Sequence, residues 1–260
     1  MVAGDLDRCG WQRFAATPAR RAWAGYACAA ALAWLETGDP APLWRYGGTW
    51  SPGVDALDND ESGAVAGSGP LPRPKAPSPG APGLAKVPLH KAQLSVLRPG
   101  YPRAPDGESP AAFRFRQHRD GAHLDGLLPI GPKRRRMLRE PHAFILGLPL
   151  NDTGPGASPL VVWEGSHRIL QGAIGAALAP HKPATWPDVD LTEPYQAARR
   201  RCFETCRRVP LHAAPGEALL LHRAVLHGMA PWEDGAAAPP EGRIVAYFRP
   251  TTTLRTWLRD

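Results

Sequence analysis

Apolar residues return along this chain with two different periods. Behind Thr17-Pro18, a helix start, Trp23, Tyr26, Ala27, Ala30 and Trp34 recur at helical spacing. This predicts a helix whose apolar face packs against the outside of the remaining fold. Further on the apolar runs are short. Phe113-Arg-Phe-Arg116 alternates, and compact apolar stretches cover 143–150, 160–163, 218–221 and 244–248, most of them bounded by Gly, Pro or Asn. These predict strands, and a second helix is predicted from about Thr192 to Arg208. No Gly-rich strand-to-helix fingerprint occurs, which disfavours a doubly wound α/β fold. The pattern is that of a mainly β protein with flanking helices, an α+β chain.

The 31 prolines and 27 glycines among 260 residues fall just short of the share that marks a disordered chain. They concentrate in residues 51–88, above all between Gly69 and Gly83, a stretch that reads as a lid over a site or as a surface connector. The expected organisation is therefore an N-terminal helical and Pro/Gly-rich segment over 1–88, a β domain over 89–250, and a tail over 251–260. Arg20-Arg21 ahead of Ala22 through Leu35 superficially resembles a secretion signal. Asp5 and Asp7 make a poor basic leader, however, no small-residue cleavage site closes the run, and it is too short to span a bilayer. The expectation is a cytoplasmic protein with no membrane segment.

Four cysteines are present, and Cys202 and Cys206 lie one helical turn apart without a second Cys or His pair at zinc spacing. They read as thiols on one helix face. Asp58-Asn-Asp-Glu-Ser-Gly63 resembles the start of a calcium loop, but Gly69 stands where the closing Glu belongs. The net charge of +7 and pI near 9.6 admit an acidic partner. Lys133-Arg-Arg-Arg136 with Arg139 is the densest basic patch; it reads either as a solvated loop or as a grip for the phosphate or carboxylate of an anionic substrate such as an acyl-CoA. No aromatic and basic stripe of the kind that binds nucleic acid is present.

The chemistry concentrates in His123-Leu-Asp125 and, roughly a hundred residues further on, Leu226-His227-Gly228 followed by Arg243. Two histidines and one carboxylate make the facial triad of non-haem Fe(II) oxygenases, which leaves the opposite face of the metal open. If His123 and Asp125 sit on a strand, their two-residue spacing puts both side chains on one face. Three free positions then take a bidentate 2-oxo acid plus dioxygen, and Arg243 can grip the far carboxylate of that acid. A second pair, His118-Arg-Asp120, lies just upstream in a polar stretch and reads as solvated. Its His-Arg-Asp triplet lacks the other parts of a kinase loop. His222 competes with His227 as a ligand; His167 reads as structural, and His90, His142, His181 and His212 lack a partner at ligand spacing.

Ala143-Phe-Ile-Leu-Gly-Leu-Pro-Leu-Asn151, Gly156 through Gly165-Ser-His-Arg168, and Pro215-Gly-Glu-Ala-Leu-Leu-Leu-His222 followed by Leu226-His-Gly228 resemble the phytanoyl-CoA dioxygenase superfamily in order and spacing over about 88–250. The resemblance implies a double-stranded β-helix (jelly-roll or cupin) core. It implies Fe(II), 2-oxoglutarate and O2 as cofactor and co-substrates, with His123, Asp125 and His227 as metal ligands. Arg243 would anchor the co-substrate carboxylate, with Arg249 on the same strand as fallback, and Gln93 would contact 2-oxoglutarate. The implied reaction is hydroxylation of a small organic substrate, with decarboxylation of 2-oxoglutarate to succinate. Asp125 matters to that outcome, because halogenating relatives lack this carboxylate.

Two positions depart from the family's pattern. Met229 stands where relatives carry a small hydroxyl, and Arg243 lies further past His227 than is usual, with the insert 233–240 between. Two other classes stay open: a cupin-type metal enzyme that does not use 2-oxoglutarate, and a non-catalytic barrel that binds a small molecule.

Overall fold

A computed structural model describes residues 4–38, 41–75, 84 and 86–259. In chain order its elements are β1 (Gly4–Asp5), α1 (Leu6–Cys9), β2 (Trp11–Phe14), α2 (Pro18–Thr37), β3 (Trp50–Ser51), β4 (Gln93–Leu97) and α3 (Pro110–Arg119). Then come β5 (Leu127–Ile130), β6 (Arg135–Leu138), β7 (Phe144–Pro149), β8 (Leu160–Trp163), α4 (Ser166–Leu178) and α5 (Thr192–Thr205). The chain closes with β9 (Arg208–Leu211), β10 (Ala218–His222), β11 (His227–Met229), β12 (Arg243–Phe248) and α6 (Leu254–Trp257).

The strands form a seven-stranded antiparallel sheet in the order β1-β2-β10-β7-β12-β4-β3, a three-stranded one in the order β11-β8-β9, and the hairpin β5-β6. The chain is thus a mixed helix-and-sheet protein built on antiparallel sheets. The large sheet draws β1, β2 and β3 from residues before 89.

The central strands read as continuous apolar runs because both of their faces are covered. On β12, Ile244, Ala246 and Phe248 join an outer layer, whereas Val245 and Tyr247 join an inner one. β10 divides in the same way, Ala218 and Leu220 outward, Leu219 and Leu221 inward. From β8 of the small sheet, Leu160 and Val162 meet that inner layer while Val161 and Trp163 pack outward. Two sheets therefore share one apolar interior. Each fully buried Leu, Val or Phe in it contributes roughly 1.5–3 kcal/mol.

The outer face of the large sheet is covered by α2, capped by the Thr17 side chain on Arg20 N at 3.2 Å. Its buried face is Trp23, Ala24, Ala27, Ala31 and Trp34, with Arg20. Tyr26, expected on that face, is 48% exposed; the buried stripe runs one residue further round the helix than the sequence periodicity implied. Leu57, Val65, Leu71, Leu84 and Leu89 pack into the same outer layer. The first four, which belong to 51–88, lie on the side of the sheet away from the interior, a cladding position and not a lid; residues 76–83 and 85 lie outside the described residues. The small sheet is backed by α4 and α5, on which Leu170, Ile174, Leu178, Tyr195, Ala198 and Cys202 are buried. Cys202 is buried, Cys206 part-buried, and both are free thiols.

Three sequence expectations change. Phe113-Arg-Phe-Arg116 is helical, in α3, because Ser109 caps the helix on Ala112 N at 3.2 Å and Pro110 opens it. Gly165-Ser-His-Arg168, part of the quoted resemblance, opens α4, a helix that the apolar pattern did not predict. Asp120 is not solvated: it is 2% exposed and accepts two bonds from the Arg208 guanidinium, at 2.7 and 2.8 Å. This tie fixes the end of α3 to β9, immediately ahead of His123. His118 is exposed.

Candidate metal centre

His123 and His227 face each other across an isolated antiparallel bridge, His123 N donating to His227 O at 2.8 Å and His227 N to His123 O at 3.2 Å. Directly opposed residues of an antiparallel pair project their side chains to the same face. The two imidazoles consequently lie side by side, with ring centroids 4.7 Å apart. Asp125 follows two residues after His123 and turns back to the same face, while Leu124 between them is buried in the layer behind the small sheet. His123 Nε2 lies 3.2 Å and His227 Nε2 3.7 Å from Asp125 Oδ1.

Gly228 makes this approach possible. A Cβ on it would stand 2.2 Å from the Asp120 carbonyl oxygen, and the next residue, Met229, donates its N–H to that same oxygen at 2.9 Å.

Each histidine is tied by its other nitrogen. His123 Nδ1 is 3.1 Å from Gly121 O, and His227 Nδ1 is 3.0 Å from Val225 O. A carbonyl oxygen only accepts, so Nδ1 carries a proton in both rings, and in neutral His227 the Nε2 lone pair is turned toward the carboxylate. Burial pushes the His227 pKa down to about 4, so this ring is neutral near pH 7. Burial also acts to lower the His123 pKa, but the hydrogen bond and charge of Asp125 outweigh it and the net shift is upward. Burial of Asp125 favours its neutral form, yet His227, His123 and Arg249 together hold its carboxyl well below the usual range.

A lone pair of neutral His227 facing a carboxylate oxygen is a repulsive arrangement that a cation between them resolves. The spacing fits one. Metal–nitrogen bonds of about 2.1 Å place adjacent octahedral donors about 3 Å apart, close to the separations from Asp125 Oδ1. All three donor atoms lie within 4.8 Å of one another, and this is the one such cluster among the described residues.

Behind the cluster a cavity of about 80 Å³ opens between the two sheets, lined on its polar side by Gln93, Ser95, Tyr247 and Arg249, and otherwise by Trp50, Ile145, Leu160, Leu221 and Met229. Gly147 leaves room for the Tyr247 ring, since a Cβ there would stand 2.8 Å from it. The Tyr247 hydroxyl is buried without a hydrogen-bond partner. Ser95 Oγ accepts from Trp50 Nε1 at 3.1 Å.

Arg249 Nη1 lies 3.2 Å from Asp125 Oδ2, and its Nη2 donates to Gln93 Oε1. Arg243 lies elsewhere. It shares the inward-facing row of β12 with Val245 and Tyr247, a row that Arg249 continues just past the strand's end, but sits at the far end and does not line the cavity. It is 8% exposed, and its Nη1 has no hydrogen-bond partner. Of the residues singled out in the sequence, His123, Asp125, His227, Gln93 and Arg249 are thus brought together and Arg243 is set apart. Trp50, Ser95 and Tyr247 were missed. Tyr247 was legible as the inward neighbour of Arg249 at strand spacing, whereas Trp50 and Ser95 carried no local signal.

His222, the competing ligand, does not join the cluster. Its Nδ1 accepts from Ala224 N at 3.1 Å and its ring packs 4.7 Å from that of His167. His167 Nε2 and Arg168 both reach Asp7 O, at 3.0 and 2.9 Å, a structural tie to α1. Burial, with His167 and Arg223 nearby, pushes the His222 pKa to about 2. Folded, His222 stays neutral down to that pH; unfolded, it takes a proton below about 6.5. The unfolded state therefore binds more protons as pH falls, and stability declines below about pH 6.5 by up to about 1.4 kcal/mol per unit. Urea midpoints of His222→Gln are expected to fall less between pH 7 and pH 5 than those of the parent protein; equal slopes would remove His222 as the cause.

Two residues of the basic patch, Arg135 and Arg139, are paired with carboxylates. Arg135 pairs with Asp190 at 3.4 Å and Arg139 with Asp188 at 2.6 Å, across the surface of the β5-β6 hairpin. No helix of the described residues is long and apolar enough to cross a membrane.

No family model and no curated protein matches the chain. Solved structures similar to it include SnoK, a non-haem α-ketoglutarate-dependent carbocyclase from nogalamycin biosynthesis. It is 13% identical, with 94% of this chain and 81% of that one covered and a TM-score of 0.49. AviO1 from Streptomyces viridochromogenes Tue57 is 15% identical over 95% of this chain and 93% of its own, with a TM-score of 0.45. EctD from S. alaskensis, with bound Fe, is 15% identical over 94% and 73%, with a TM-score of 0.43.

Proposed function

We propose that this protein is an Fe(II)- and 2-oxoglutarate-dependent dioxygenase of the phytanoyl-CoA dioxygenase type, with its two sheets forming a double-stranded β-helix, and that it hydroxylates a small organic substrate. The observation that carries this reading is the donor cluster. Two imidazoles with Nδ1 fixed on backbone carbonyls aim Nε2 at one carboxylate oxygen, at the mouth of an inter-sheet cavity. Two nitrogens and one oxygen on one face is the ligand set of non-haem Fe(II) oxygenases. Iron bound there, with 2-oxoglutarate and O2, supplies the oxidising power: the oxo acid becomes succinate and carbon dioxide, and one oxygen atom enters the substrate.

The chain's own residues do the rest. His123, Asp125 and His227 hold the metal by one face. At ~10–15 Å³ per water, the 80 Å³ cavity takes on the order of six waters. That is the scale of a five-carbon diacid. The Tyr247 hydroxyl and the Ser95 O–H are donors for its carboxylate. Arg243, a buried cation with an unpartnered Nη1 on the same inward row beyond the cavity's lining, is the anchor for the far carboxylate if its guanidinium turns toward Tyr247 on binding, because a buried polar group without a hydrogen-bond partner is costly. Gln93, held by Arg249, contributes its amide at the cavity wall. The primary substrate approaches from the solvent side past His123, whose side chain is 54% exposed. Unpaired cysteines are in keeping with a reducing compartment such as the cytoplasm.

The test is an anaerobic calorimetric titration with 2-oxoglutarate. The expected result is binding that requires Fe(II). Binding of equal strength without metal, or none with it, contradicts the reading and favours a barrel that binds another small molecule.

A further inference from the structure

We propose that Arg249 is a positioning residue that holds the outer oxygen of Asp125 and so keeps this carboxylate a one-oxygen ligand. The inference rests on the metal reading above. The two oxygens of Asp125 are divided: Oδ1 faces both histidines, at 3.2 and 3.7 Å, while Oδ2 faces Arg249 Nη1 at 3.2 Å. Free carboxylates readily bind a metal through both oxygens. Doing so here would take a coordination position that a bidentate oxo acid plus dioxygen requires.

Arg249 is built to prevent this. Its second nitrogen is held by Gln93 Oε1. Its backbone N–H donates to His90 Nε2 at 2.8 Å, and the carbonyl of the next residue, Pro250, accepts from Ala143 N at 2.7 Å. Main chain and guanidinium are both fixed, so the fork reaches Asp125 from a rigid base. The planar guanidinium makes both bonds at once, which a lysine ammonium on a flexible stem cannot do with the same geometry. His90, which lacks any ligand spacing in the sequence, acquires a role as the brace of that base. Partners that orient a ligand in this way are generally worth about 10–100-fold in metal affinity.

The experiment uses Co(II) as probe on the full chain, comparing the parent protein with Arg249→Met, Arg249→Lys and Gln93→Leu. Circular dichroism and urea midpoints establish that each variant folds. Arg249→Met is expected to bind Co(II) about 10–100-fold more weakly and to change the visible ligand-field spectrum, with partial rescue in Arg249→Lys and a smaller loss in Gln93→Leu. On Co(II)-saturated Arg249→Met, where both Asp125 oxygens can reach the metal, 2-oxoglutarate affinity is expected to fall together with the change in the Co(II) spectrum. Unchanged Co(II) affinity and spectrum in Arg249→Met, with 2-oxoglutarate binding weakened, would make Arg249 an acid anchor and overturn the proposal while leaving the metal site standing. A parent protein that binds no Co(II) would overturn both.

Discussion

Gly228→Ala is expected to cost the protein most of its metal affinity without altering a ligand. The added Cβ would lie 2.2 Å from the Asp120 carbonyl oxygen and 3.2 Å from the Ala122 Cα, both backbone atoms. Neither can rotate away as a side chain would. Asp120 is pinned in turn by Arg208, and its carbonyl already accepts the Met229 N–H. The bridge between His123 and His227 must therefore open, which separates the two imidazoles that it sets side by side. Overpacking of this kind costs roughly 1–3 kcal/mol, or roughly 2–4 °C in melting temperature per kcal/mol. A ligand displaced by about 1 Å can lose on the order of 100-fold in function. A Co(II) titration beside a melting curve reads both effects. Metal affinity like the parent's, in a variant that folds, would mean that the bridge does not set the ligand geometry.

Arg243→Met separates the two candidate anchors. If Arg243 holds the far carboxylate of 2-oxoglutarate, removing it breaks a buried charge pair, a loss of about 2–5 kcal/mol. At about 1.4 kcal/mol per tenfold, the half-saturating 2-oxoglutarate concentration should rise between about 30-fold and several thousandfold, with Co(II) affinity retained. The ligand-free protein should behave in the opposite sense. Its buried guanidinium has an unpartnered nitrogen, so an apolar side chain of similar length should leave stability equal or higher. Unchanged 2-oxoglutarate binding in Arg243→Met, together with a large loss in Arg249→Met at unchanged Co(II) affinity and spectrum, would transfer the anchor to the residue that lines the cavity.

Legibility from sequence followed the range of the interaction. The strands 144–149, 160–163, 218–222 and 243–248 were readable because both of their faces are apolar, and α2 because Thr17-Pro18 marks its start. Phe113-Arg-Phe-Arg116 misled because a two-residue alternation in four residues fits a short helix equally well; Ser109-Pro110, a cap followed by a first-turn proline, was the better signal. α4 was hidden behind the Gly-Ser-His-Arg motif, although Leu170, Ile174 and Leu178 recur every four residues.

At the site, His123 and Asp125 do share a face, but not on the strand that their two-residue spacing suggested: His123 is in an isolated bridge and Asp125 in the turn before β5. Nothing local told that His227 would sit directly opposite His123, or that Arg249 would reach Asp125, since both contacts depend on how distant strands pair. The burial of Asp120 was equally unreadable. It comes from Arg208, a residue 88 positions away, and polarity alone pointed to solvent.

The most direct test of the account is succinate formation from 2-oxoglutarate by protein reconstituted anaerobically with Fe(II) and then exposed to air, beside Asp125→Ala. The account predicts succinate that requires both iron and oxygen and that disappears in the variant, even before the primary substrate is found. Succinate formed equally by Asp125→Ala, or none from an iron-loaded parent protein that shows no iron-dependent binding of 2-oxoglutarate, would contradict it.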